Sequence, residues 1–134
     1  MKTATVTAWA VVVVGILLLS FAPISPQDLP EGAVRSGFRM GHAPAYALLA
    51  ALTLRLLLVM GWSKSYLQAV LVSAAASILL GGAIEFLQPY FDRSASLRDF
   101  AMNTIGVTVA LVLLVGLRGW MEGRQTARQF PASK

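Results

Sequence analysis

Four stretches of this chain are apolar for the length that a helix needs to cross a lipid bilayer, and this constrains the fold more than any other feature. The hydrocarbon core is about 30 Å thick and a helix rises about 1.5 Å per residue, so about 20 mostly apolar residues make one span. The stretches lie near residues 5–22, 40–61, 65–88 and 100–117. Of the 17 charged side chains 15 fall outside them, and only Arg55 and Glu85 fall inside. A chain of 134 residues that is 57% hydrophobic and 13% charged has too little polar surface to coat a soluble monomer, because soluble domains carry about 25% charged residues. Lipid is the expected covering. The expected fold class is therefore an all-α membrane protein, a four-transmembrane-helix bundle forming one domain over residues 1–134.

The first stretch shares features with a cleaved signal peptide, since Lys2 precedes an apolar core and Ser20 and Ala22 are small. Its apolar run exceeds the roughly 7 to 15 residues of a signal core and Pro23 follows directly, so a retained helix is the expectation. Lys and Arg of short loops are held on the cytoplasmic side. Lys2, Lys64, Arg118, Arg124, Arg128 and Lys134 would fall on one side, and Arg35, Arg39, Arg93 and Arg98 on the other. Arg55 adds to the first group by snorkelling about two turns to that boundary. Both termini are thus expected in the cytoplasm, with residues 23–39 and 89–99 outside. Trp9, Trp62, Tyr66 and Trp120 near one boundary, and Phe21, Phe38, Tyr90 and Phe91 near the other, read as interfacial anchors.

The linkers are too short to separate domains and no internal repeat is visible. The Pro-rich stretch 22–30 reads as an irregular external loop, and residues 123–134 as a solvated cytoplasmic tail. There is no Cys, which excludes disulfides, thiolate metal sites and cysteine nucleophiles. The net charge of +5 is spread between and after the apolar runs instead of forming one patch, so nucleic acid is not an expected partner.

Ionisable groups at membrane depth are costly and are usually paired or set beside a polar cavity. Here they share one depth. His42 and Tyr46, four residues apart at the outer end of the second span, lie on one helical face, and Arg39 precedes His42 by three. Glu85 and Gln88 form an i, i+3 pair at the outer end of the third span. Asp99 and Asn103 form an i, i+4 pair at the start of the fourth. The third span also carries Ser73, Ser77, Gly81 and Glu85 at steps of four, and small residues let helices pack closely in lipid. A polar pocket shared by three spans and opening outward is the expectation, with Glu85 needing a proton or a cation partner.

Plainer roles stand beside these. Asp99 would serve as a helix cap, and Gln88, Arg93 and Arg98 as headgroup contacts at a wet boundary. His42 would be a satisfied structural histidine. Pro44 sits in the first turn or so of its span, where a missing N–H costs little.

The spacing resembles the VanZ-like family of small bacterial membrane proteins. One block is Arg39-Met40-Gly41-His42-Ala43-Pro44-Ala45-Tyr46, similar to the family's basic residue followed by His and then Tyr four residues on. The other runs from Glu85 through Gln88, Arg93, Asp99 and Asn103 to Gly106, similar to an E-x-x-Q, R, D-x-x-x-N-x-x-G series. Phe38 stands where an acidic residue is common, and Ala110 where a second glycine often ends the series. The resemblance implies a four-helix protein of the bacterial inner (cytoplasmic) membrane, in a family whose founding member is associated with resistance to the glycopeptide teicoplanin.

Two functions are then expected to compete. In the first, a non-catalytic envelope protein binds or excludes an amphiphile at the outer leaflet. Membrane lipid and a lipidated glycopeptide are its partners, and Arg39, His42, Tyr46, Glu85, Gln88, Arg93, Asp99 and Asn103 form its pocket. In the second, an enzyme acts on a lipid-linked envelope precursor, with Glu85 or Asp99 and His42 as acid and base and an Arg on the phosphate. No nucleophile motif and no lid-sized loop are present, which favours binding over turnover. No cofactor is expected; His42 with two carboxylates is only a weak metal signal. Proton-linked transport ranks last, because ionisable groups do not run across the membrane depth.

Overall fold

The computed structural model describes residues 1–22 and 41–129. Arg35, Phe38, Arg39 and most of the Pro-rich stretch lie outside the described residues. Among the described residues the fold is built of four α-helices: α1 (Lys2–Phe21), α2 (His42–Met60), α3 (Tyr66–Leu87) and α4 (Leu97–Gln129). A 3₁₀ turn, Gln88–Phe91, follows α3. There is no strand among the described residues. All four helices are long and apolar enough to cross a membrane.

The ends of these helices follow from local chemistry. α2 stops at Gly61, whose φ of 71° is open to glycine at no steric cost. The Gly61 and Trp62 N–H groups return to the Leu58 and Leu57 carbonyls at 3.3 and 3.1 Å, a Schellman closure. α3 begins at once: Ser65 Oγ accepts from the Gln68 N–H at 3.1 Å while Gln68 Oε1 accepts from the Lys64 N–H at 2.8 Å. Such reciprocal capping fixes the entry of the chain.

α2 is the central helix and packs on α1, α3 and α4, while α3 also packs on α4. The core gathers Tyr46, Leu49, Ala50, Leu54, Val107 and Leu111 on the inward faces. Small residues set the separations. Ser73 Oγ donates to the Ala50 carbonyl at 2.7 Å, and Gly106 lies against the Ala43 carbonyl so closely that a Cβ there would collide with it. Large apolar side chains cover the outside, among them Leu18, Leu71, Leu79, Phe86, Val112 and Leu113. That surface suits lipid and not water.

Up-and-down packing gives the molecule two unlike ends. At one, Trp9 Nε1 donates to Thr53 Oγ1 at 3.0 Å, Arg55 Nε donates to Thr5 Oγ1 at 3.3 Å, and the Arg118 guanidinium lies 4.0 Å from the Tyr66 ring centre. At the other, the Phe21 and Phe91 rings are 4.7 Å apart and Gln88 and Arg93 reach the end of α1.

α4 is longer than its apolar run at both ends. It starts at Leu97 because Ser96 caps it, and it continues to Gln129 through the stretch read as a tail. No proline intervenes before Pro131. Arg118 pairs with Glu122 at 2.7 Å and Arg124 lies over the Trp120 ring at 4.2 Å, two i, i+4 contacts that favour helix.

Candidate functional site

Three helix ends meet at the Phe21 end of the bundle. The first turns of α2 supply His42 and Tyr46, the last turn of α3 supplies Glu85, and the first two turns of α4 supply Asp99 and Asn103. One ligand-type atom from each of His42, Glu85 and Asp99 lies within 4.8 Å of the other two. Residues 43 and 57 positions distant in sequence thus converge on the imidazole.

Helix packing makes this convergence possible. A Cβ on Gly81, one turn before Glu85, would sit 3.0 Å from Tyr46 Cε1 and 3.2 Å from Asn103 Nδ2. Tyr46 and Asn103 therefore reach across to α3 at the level of Gly81 and floor the cluster. Ser77 and Ser73 continue the small-residue row below, both fully buried.

Glu85 is 7% exposed and its carboxyl group is held in place. The Ser96 N–H donates to Glu85 Oε2 at 2.8 Å, and Ser96 Oγ accepts from the Asp99 N–H at 3.2 Å. The cap of α4 is thus Ser96 and not Asp99, contrary to the plainer expectation for Asp99. Because the helix begins three residues before its apolar run, Asp99 falls in the first turn with its carboxyl group free to face the cluster. Among the described residues three buried polar atoms have no hydrogen-bond partner: His42 Nδ1, Ser77 Oγ and Asn103 Oδ1. Leaving such a group unsatisfied costs about 1–3 kcal/mol, so these positions cost stability that packing alone does not explain.

Gln88 and Arg93 tie the cluster to α1. Gln88 Nε2 donates to the Ser20 carbonyl at 3.5 Å, and Arg93 Nη1 donates to the Leu19 and Ala22 carbonyls at 3.3 and 2.9 Å. A cation is favourable there, since the last carbonyls of a helix carry partial negative charge. Between α1, α2 and this turn lies a cavity of about 190 Å³, with Ile16, Leu19 and Ala45 forming apolar wall and His42, Gln88 and Arg93 polar wall. A second cavity, of about 300 Å³, opens on the far side of Glu85 between Gly82, Phe86, Ser96 and Phe100. The cluster is reached from two directions.

Of the residues singled out in the sequence, His42, Tyr46, Glu85, Asp99 and Asn103 come together, and Gln88 and Arg93 border them. Arg39 lies outside the described residues, and Arg98 is exposed on α4. Two contributors were missed. Ser96 carried a signal, because Ser96-x-x-Asp99 before an apolar run is a capping-box pattern. The α1 contribution carried none, since carbonyl acceptors and Ile16 or Leu19 wall atoms leave no mark in a uniformly apolar run.

Among the described residues the fold and this site define an all-α protein with four helices long and apolar enough to span a membrane and a polar cluster at one end of the bundle. Comparison with protein-family models, curated proteins and solved structures finds no match to the chain.

Proposed function

We propose that this chain is a multi-pass protein of the bacterial cytoplasmic membrane, similar to VanZ-like proteins, that takes the polar head of an amphiphile into a pocket at the outer leaflet without transforming it. One observation carries the reading: the cavity between α1 and α2 is apolar on its Ile16, Leu19 and Ala45 side and polar where His42, Gln88 and Arg93 meet it. An amphiphile has the same division. Its chain would lie against the helix faces, and its head would meet the imidazole and guanidinium groups. The charge bias of the loops supports this orientation, with both termini cytoplasmic and the cluster outside.

The resemblance makes teicoplanin, which bears a lipid tail, the amphiphile to test first, with vancomycin, which lacks one, as the comparison. Alanine replacement of His42, Glu85, Gln88 and Asp99 is expected to lower teicoplanin resistance more than vancomycin resistance at equal protein level. Wild-type resistance in all four folded variants would sink the reading.

A second reading rests on the approach of His42, Glu85 and Asp99 to within 4.8 Å. An imidazole beside two carboxyl groups is an acid–base set for attack on a lipid-linked envelope precursor. Turnover of such a precursor by the purified protein, lost in His42→Ala, would replace binding with catalysis; no turnover retains the first reading.

A further inference from the structure

We propose that His42, Glu85 and Asp99 form a site for one divalent transition-metal cation of the Mn²⁺ or Zn²⁺ class. The donor set is one ring nitrogen and two carboxyl groups from three different helices, all within 4.8 Å of one another. Donors about 2.0–2.2 Å from one ion lie within about 4.4 Å of each other. The observed spread closes on an ion with small side-chain adjustments.

Independent observations point the same way. His42 Nδ1 is buried without a hydrogen-bond partner, and so is Asn103 Oδ1. Asn103 is 2% exposed, lies one turn beyond Asp99, and extends its side chain to Gly81, directly below Glu85. Two carboxyl groups this close repel each other when both are ionised in a region of low dielectric, and a divalent cation between them removes that repulsion.

Ligand orientation is also provided for. The Ser96 N–H occupies Glu85 Oε2, which fixes the carboxyl plane and leaves Oε1 for the ion, as outer partners commonly do at metal sites. The imidazole selects against Ca²⁺ and Mg²⁺, which prefer oxygen donors throughout. Three protein donors leave coordination positions open. On the amphiphile reading above, an anionic oxygen of the headgroup would fill one of them, entering through the cavity beside His42.

The test is an Mn²⁺ titration of the full chain in lipid nanodiscs after chelator treatment, with free Mn²⁺ read by electron paramagnetic resonance. One Mn²⁺ per chain, displaced by Zn²⁺, is expected. His42→Ala, Glu85→Gln and Asp99→Asn should each weaken uptake at least tenfold, while Glu122→Gln, at the opposite end, should leave it unchanged. Absence of stoichiometric Mn²⁺ and Zn²⁺ uptake by the wild-type chain overturns the proposal whether or not the variants fold, as does undiminished uptake by the folded variants. Mn²⁺ uptake with no headgroup binding would sink the amphiphile reading alone; headgroup binding without metal uptake would sink only the metal site.

Discussion

The Ser96 backbone N–H donates to Glu85 Oε2 at 2.8 Å, so the residue that caps α4 also holds the carboxyl group at the end of α3. Ser96 Oγ accepts from the Asp99 N–H on the same turn. The two acidic residues are therefore positioned by one serine, through its N–H in one case and its hydroxyl in the other. The site is preorganised by backbone geometry at a helix start, which is stiffer than a loop.

Glu85 replacements should separate this positioning from charge. Glu85→Gln keeps an oxygen for the Ser96 N–H, whereas Glu85→Ala leaves that N–H without its acceptor in a partly buried place. Thermal unfolding in detergent should show Glu85→Ala less stable by about 1–3 kcal/mol, with Glu85→Gln close to wild type. Equal loss in both would mean that the negative charge, and not the hydrogen bond, stabilises the α3–α4 turn.

Gly106→Ala should damage the bundle more than an alanine at any other described glycine. The added Cβ meets the Ala43 backbone carbonyl, which cannot move without shifting the first turn of α2 and His42 with it. Overpacking of this kind costs about 1–3 kcal/mol. Gly116→Ala, with nothing near its Cβ position, should keep wild-type stability. A Gly106→Ala protein that unfolds at the wild-type temperature would mean that α2 and α4 are not in contact at this point.

Charge scarcity made the helices and the cluster legible. Four long apolar runs leave little choice of element, and at i, i+3 and i, i+4 spacing His42 with Tyr46, Glu85 with Gln88, and Asp99 with Asn103 had to lie in pairs on one face. The row Ser73, Ser77, Gly81, Glu85 likewise announced a close-packed face. What stayed hidden depends on groups without a sequence signature. The Leu19, Ser20 and Ala22 carbonyls that receive Arg93 and Gln88 belong to every residue alike, so the partnership of α1 with the site could not be read. The extension of α4 to Gln129 was hidden for another reason: its support is polar, through Arg118, Glu122, Trp120 and Arg124, and a search for apolar length ends at Leu117.

Arg93→Ala should loosen the end of α1. It removes both hydrogen bonds from the guanidinium to the Leu19 and Ala22 carbonyls, and hydrogen bonds to charged groups contribute about 1.5–3 kcal/mol. Amide hydrogen exchange should accelerate over residues 19–22 while the N-terminal half of α1, held by Trp9 and Thr53, stays at the wild-type rate. Uniform exchange along α1 in the variant would mean that Arg93 does not fasten that end.

Asn103→Leu tests whether the buried amide is kept for stability or for what it binds. Leucine keeps the γ-branched skeleton of asparagine but is bulkier. Asn103 Oδ1 has no hydrogen-bond partner, so a leucine removes an unsatisfied polar group from a position 2% exposed and places apolar surface there instead. Stability should hold or rise by about 1–3 kcal/mol, which is the usual sign that a native residue is retained against the interest of packing. Mn²⁺ uptake at the neighbouring donors should weaken in the same variant. A large drop in unfolding temperature would instead give Asn103 a structural role in holding α3 and α4 together.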